Sequence, residues 1–178
     1  MNELPVEVME RLAMERDLPA RKRGGIEPCE TGDAIFIINE LPVVLPRLAA
    51  LLIDPVLVGI VRRFLETDDI RYHFSNVTMK RGRIGSGISW HRDFSNRYIC
   101  PKRSSFLRMM VCLDGMDAEN GATQFVEGSH LISDEHAAGA VSSLAAADPQ
   151  AVVMTACCGP GSLVLIHPKS VHGGAPNA

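Results

Sequence analysis

The chain has 178 residues, a length that fits one domain, and a chain of this size buries roughly 70% of its unfolded surface, enough for a real core. Apolar residues make up 46%, charged residues 22%, and the formal net charge is −3. That balance is globular and lacks the basic excess of a protein that coats nucleic acid. No apolar run is long enough to span a bilayer. The opening MNELPVEVMERLAMERD is acidic and amphipathic, unlike a secretory signal. No nucleic-acid or membrane partner is therefore expected.

Cys29, Cys100, Cys112, Cys157 and Cys158 contain no CxxC spacing. An odd set with two adjacent members suits reduced thiols in a reducing compartment, so the expected location is the cytoplasm.

In chain order, Val6, Met9, Leu12 and Met14 give a loose helical stripe over 1–17, followed by a basic turn, Arg21-Lys22-Arg23-Gly24-Gly25, read as a solvated loop. DAIFIIN, Asp33 to Asn39, reads as a short strand. Leu45, Leu48 and Leu52 mark a helix, and Asp54-Pro55 opens another, with Asp54 as N-cap and Pro55 in the first turn. Leu57, Ile60, Val61, Phe64 and Leu65 then recur at the spacing of a buried helical face. From Ile70 the runs IRYHFSNVTM, SFLRMMVCL, ATQFV, AVVMTA and SLVLI are β-rich and punctuated by Gly, Pro, Asn and Asp. They do not alternate with helices, which disfavours a parallel doubly wound sheet. The expected class is mainly β with N-terminal helices (α+β), an antiparallel sandwich or barrel. One domain is expected over 1–178, with 1–67 helical and 68–178 forming the β core. The Ala-rich stretch Ser133 to Asp148 reads as a helix or loop between strands.

Chemistry concentrates in Trp90-His91-Arg92-Asp93 and in His172 of VHGGAPN. In an extended segment residues i and i+2 face one side, so His91 and Asp93 can address one ion. A distant imidazole from His172 would complete two histidines and one carboxylate, the facial set of non-haem Fe(II) oxygenases with positions left open.

WHRDF, ENGATQFVEGSH and GPGSLVLIHPKSVHGGAPN, in that order, resemble the phytanoyl-CoA dioxygenase family of Fe(II)/2-oxoglutarate oxygenases. The family pattern is W-H-x-D, then an N-G segment ending in P-G-S-H, then a G-rich strand leading to H-G and Asn. The resemblance runs from about Leu52 to Ala178. It implies a double-stranded β-helix, a jelly-roll barrel, with His91, Asp93 and His172 as metal ligands. It also implies 2-oxoglutarate as co-substrate, decarboxylated to succinate, with dioxygen and a small-molecule substrate as partners and ascorbate as a useful additive. Asp93 favours hydroxylation or another oxidation over halogenation, since related halogenases carry a small residue there.

The sequence departs from the pattern after the distal histidine. The family continues to an arginine on the last barrel strand that forks onto the C5 carboxylate of 2-oxoglutarate. None of the six residues after His172 is an arginine. Three readings follow: the native chain continues past Ala178 and carries the last barrel strand, another cation substitutes, or 2-oxoglutarate binds poorly. Arg108 is the candidate substitute. It shares a strand face with Met110 and Cys112, and Met110 falls where some relatives place an active-site aromatic. The alternative is that Arg108 pairs with a carboxylate of this chain, because an unpaired buried charge is costly. Thr78 and Lys80 lie where relatives contact the co-substrate's carboxylates, with surface exposure of Lys80 as the competing reading.

Trp90 reads as packing beside the metal loop, His130 of EGSH as structural, and His167 as a neighbour of the ligand. The glycines 82, 85 and 87 read as a turn or lip, and Arg92, Arg97, Lys102 and Arg103 as an exposed charged loop. Two rival functions stay open: a metal-binding barrel without 2-oxoglutarate turnover, and a metal-dependent hydrolase using the same triad, since His and Asp also suit zinc.

Overall fold

A computed structural model describes residues 26–28, 35–39, 42, 46–80, 82–83, 85, 87–95, 101–137 and 152–178. The stripe over 1–17, the basic turn, Cys29, Cys100, Arg97 and most of the Ala-rich stretch lie outside these residues. The chain divides into two compact units, 1–81 and 82–178.

The first unit carries a three-stranded antiparallel sheet of β1 (Ile26–Pro28), β2 (Ile35–Asn39) and β3 (Asn76–Lys80), in that spatial order. β2 is the expected strand, its IFIIN core dominated by β-branched residues. It runs in register with β3 from Ile35↔Lys80 to Asn39↔Asn76. The N-terminal third is thus not only helical, because a run of isoleucines next to a partner strand forms a ladder.

Between β2 and β3 stand a 3-10 turn at Pro46–Leu48, α1 (Ala49–Leu52) and α2 (Pro55–Leu65). α2 begins as the sequence dictates. Asp54 Oδ1 accepts from the amides of Val56 and Leu57 at 2.9 and 3.1 Å, and Pro55 occupies the first turn. The helix stops at Glu66, whose φ of 53° is left-handed. The expected buried face is only half realised. Leu57, Ile60, Val61 and Leu65 are half-buried and Phe64 is 42% exposed.

The second unit is built from β4 (Ile88–His91), β5 (Arg108–Cys112), β6 (Thr123–Val126), β7 (Val153–Thr155), β8 (Ser162–Ile166) and β9 (His172–Gly174). Four of them form a sheet in the order β4-β9-β6-β7, and β5 pairs with β8. Every pairing is antiparallel, so the described residues give a mainly β protein with few helices. Contacts between the two sheets set the interior. Met110 of β5 reaches Thr123 of β6, whose hydroxyl lies 4.0 Å from the Met110 sulfur.

The loops between strands are fixed by side chains. Before β6, Asp117 Oδ1 accepts from the amides of Glu119 and Asn120, and Asn120 Oδ1 accepts from the amide of Asp117. After β6, the EGSH segment turns at Gly128, with φ of 70°. No helix among the described residues is long and apolar enough to cross a membrane.

Candidate metal centre

β4 and β9 pair antiparallel with His91 directly opposite His172. Residues far apart in sequence thereby become a cross-strand pair, with imidazole centroids 4.2 Å apart. The ladder carries an irregularity between Ile88↔Gly174 and His91↔His172, where two residues on β4, Ser89 and Trp90, stand against one on β9, Gly173. This is the extra residue of a β-bulge, a device that re-aims side chains. Gly173 is required by the close approach. A Cβ there would lie 2.9 Å from the Ile88 carbonyl and 3.3 Å from the Trp90 ring. Trp90 therefore packs beside the ligand strand, as the sequence suggested.

Both imidazoles are oriented by the same local arrangement. His91 Nδ1 donates to the Ser89 carbonyl at 2.8 Å, and His172 Nδ1 donates to the Ser170 carbonyl at 3.0 Å. A carbonyl only accepts, so the proton sits on Nδ1 and the Nε2 lone pair is left for a metal. Burial, and then the neighbouring His91, hold the His172 imidazole below the ordinary histidine pKa. It is thus kept in the neutral form that ligates metals.

Asp93 lies just past the end of β4 and is 3% exposed. Its Oδ1 accepts from Arg108 Nη2 at 2.8 Å. Its Oδ2, 3.9 Å from His172 Nε2, is buried and lacks a hydrogen-bond partner. An uncompensated buried carboxylate oxygen is costly, and a cation shared with the two Nε2 atoms removes that cost. One ligating atom from each of His91, Asp93 and His172 lies within 4.8 Å of the others, the one such group of three among the described residues. The donor set and the orphaned oxygen both fit a divalent ion.

Hydrogen bonds from the flanking residues hold the two ligand segments together. The Phe94 amide donates to the Pro168 carbonyl at 2.8 Å. Arg92 Nε donates to the Lys169 carbonyl at 2.6 Å, while its other nitrogens reach the Ile132 carbonyl and Asp134. Arg92 is 7% exposed, which corrects the expectation of an exposed basic loop. It lies between His91 and Asp93, and its own side chain lies against 132–134 and Lys169. Lys102 and Arg103 are exposed as expected. Ser129 is 2% exposed and went unnoticed in the sequence. Its hydroxyl donates to the Val126 carbonyl at 2.6 Å and accepts from the Val171 amide at 2.8 Å, next to His172. Phe125, opposite His172 on β6, stacks on that imidazole with centroids 5.8 Å apart. A serine in a turn motif and a phenylalanine in a strand carry no sequence signal of their own.

Of the residues assigned to the co-substrate, Arg108 is at the triad, paired with Asp93. This is the outcome in which it finds a carboxylate of its own chain. Met110 stands two residues along the same face. Thr78 and Lys80 belong to β3 of the first unit, where Thr78 is exposed and Lys80 is half-buried, its pKa lowered by burial. His130 is exposed and meets His167 edge-on at 5.5 Å. His167 Nδ1 accepts from the Lys169 amide, so neither histidine joins the triad.

The fold is shared with solved structures. The non-heme α-ketoglutarate-dependent carbocyclase SnoK from nogalamycin biosynthesis aligns with a TM-score of 0.76 and 21% identity, over 97% of this chain and 66% of that one. EctD from S. alaskensis, solved with 2-oxoglutarate and 5-hydroxyectoine, gives 0.73 and 24%, over 97% and 60%. The epimerase SnoN, in complex with Fe3+, α-ketoglutarate and nogalamycin RO, gives 0.69 and 20%, over 97% and 69%. The chain thus spans about two-thirds of the length of these proteins. A search of curated protein sequences finds no match. The sequence model of the phytanoyl-CoA dioxygenase family matches residues 31–178, beginning earlier than the motifs alone suggested, and the chain belongs to that family.

Proposed function

We propose that this protein is an Fe(II)- and 2-oxoglutarate-dependent dioxygenase that hydroxylates, or otherwise oxidises, a small molecule while 2-oxoglutarate is decarboxylated to succinate. The reading takes residues 1–178 as one oxygenase domain around a double-stranded β-helix core, with His91, Asp93 and His172 as the iron ligands. One observation carries it. A buried aspartate oxygen without a hydrogen-bond partner stands beside two imidazoles whose Nε2 atoms are freed by their backbone contacts. Family membership and the iron and 2-oxo acid held by SnoN support it.

Iron bound there would supply the redox chemistry that lets dioxygen attack an unactivated C–H bond. The chain supplies the rest. His91, Asp93 and His172 would hold the ion through two imidazole nitrogens and one carboxylate oxygen, a donor set that leaves room for co-substrate and dioxygen. Phe125 covers the His172 ring and limits water on that side. Arg92 and the Phe94–Pro168 contact keep the two ligand segments from drifting apart, which preserves affinity for the ion.

The test is succinate release from 2-oxoglutarate with Fe(II) and ascorbate. Turnover abolished by Asp93→Ala, with most of the Fe(II) affinity lost by calorimetry, is the expected result. Intact metal loading without succinate would leave a metal-binding barrel, and unchanged Fe(II) binding in Asp93→Ala would overturn the ligand assignment.

A further inference from the structure

We infer that Arg108 is a positioning residue for the metal: it holds Asp93 by one carboxylate oxygen so that the other stays aimed at the two imidazoles. The inference rests on the metal-centre reading above and assigns Arg108 to the metal carboxylate instead of to an anionic co-substrate.

The Asp93 side chain is 4% exposed and the Arg108 side chain 36%. The charge that needs compensation is therefore the buried one, and Arg108 reaches it from a half-exposed position. The two carboxylate oxygens differ in their surroundings. Oδ1 is tied to Nη2 at 2.8 Å, a charge-assisted bond of full strength. Oδ2 has no hydrogen-bond partner and lies 3.9 Å from His172 Nε2. Rotating the carboxylate to bring Oδ2 elsewhere would break the 2.8 Å bond, so the free oxygen is held in place before any ion arrives.

The base of Arg108 is itself held. β5 pairs with β8 through Arg108↔Ile166 and on to Cys112↔Ser162, and Ile166 is buried. Two positions along the same face, Met110 contacts Thr123 on the sheet that bears His172. The guanidinium thus reaches across from one sheet to the metal loop of the other. The two histidines are oriented by carbonyls within their own segments. Asp93, beyond the end of its strand, is oriented by a side chain from another strand.

The experiment titrates Co(II) alone into metal-free wild-type protein, Arg108→Met and Arg108→Lys. It uses calorimetry and the visible d–d absorption of the bound ion, with no 2-oxo acid present. Removing a group that orients a ligand typically weakens metal binding about 10- to 100-fold. Arg108→Met is expected to lose at least about tenfold and to change the d–d spectrum. Arg108→Lys, which keeps a cation of similar reach, is expected to recover most of both. The sign separates this role from simple repulsion, because deleting a cation that only repelled Co(II) would tighten binding. Equal or tighter binding by Arg108→Met overturns the inference, as does Arg108→Lys behaving like Arg108→Met. If Arg108→Met does not fold, Arg108→Gln takes its place, and Co(II) binding by Arg108→Gln equal to or tighter than wild type would overturn the inference. Wild-type protein that binds no Co(II) would remove the metal-centre reading, and this inference with it.

Discussion

Ser129→Ala removes one buried hydroxyl that joins two segments. The Ser129 Oγ donates to the Val126 carbonyl at 2.6 Å, at the end of β6, and accepts from the Val171 amide at 2.8 Å, one residue before His172. Val171 is fully buried, so without the hydroxyl its N–H has no water to turn to. Leaving a buried donor unsatisfied costs about 1–3 kcal/mol, and the carbonyl loses a further bond worth about 1 kcal/mol. The pairing of the Val126 amide with the Val171 carbonyl at 2.9 Å survives, so the strands stay together and the loss stays local. The sum is about 3 kcal/mol, which for a chain of this length lowers Tm by about 2–4 °C per kcal/mol, or roughly 9 °C. Calorimetric unfolding of the metal-free protein measures this, and Co(II) titration should show weaker binding because the segment leading into His172 is loosened. A Tm within about 2 °C of wild type would refute the idea that this hydroxyl braces the ligand strand.

Gly173→Ala places a Cβ 2.9 Å from the Ile88 carbonyl and 3.3 Å from Trp90. It should push β4 from β9 and weaken both thermal stability and Co(II) binding, with Trp90 fluorescence reporting the shift. Burial, then His130, Lys169 and Arg92, lower the His167 pKa from its ordinary 6.5. The unfolded chain therefore takes up this proton first, so stability should fall as pH drops below about 6.5 and level off once the folded pKa is passed. His167→Asn should flatten that slope in Tm measured from pH 7.5 to 5.0. Burial and a hydrogen bond with Cys158 push the Cys112 thiol up to about 11, while Cys157 is exposed. Iodoacetamide at pH 8 should therefore label Cys157 first and leave Cys112 unmodified in the folded protein, as read by peptide mass.

The strands that were legible in the sequence are those with dense β-branched or apolar runs: IFIIN, RMMVC, TQFV, VMT and SLVLI all form where the pattern places them. β9, which carries His172 of the triad, was not among those runs. Its residues are His172-Gly173-Gly174, and glycine is a poor strand former by composition. It is a strand because β4 and β6 flank it and because only glycine admits the Trp90 ring at that distance. Periodicity likewise misjudged α2: a 3.6-residue apolar stripe states what a helix could bury, and the packing around it determines how much of Phe64 it does bury.

The triad was legible because WHRDF, ENGATQFVEGSH and GPGSLVLIHPKSVHGGAPN stand in the order of a known family, where residue type alone left other metal chemistry open, yet the reason for its geometry differs from the one the sequence offered. His91 and Asp93 do not share a face as alternate residues of one strand, since β4 ends at His91. Asp93 reaches the imidazoles from the residues that follow. There Arg92 is anchored on Lys169, Ile132 and Asp134, and the Phe94 amide is fixed to Pro168. His91 and His172 converge for another reason, an antiparallel register, which no local pattern encodes. The two histidines carry their orienting group two residues upstream, in Ser89-Trp90-His91 and Ser170-Val171-His172, and only the backbone of each serine is used. A serine two residues before a histidine is therefore not the signal; any residue with a carbonyl there would serve. The aspartate, lacking such a local partner, depends on the strand that carries Arg108. The carboxylate is thus the member of the triad most sensitive to changes elsewhere in the chain, and substitutions on β5 should weaken Co(II) binding before substitutions beside either histidine's own carbonyl contact do.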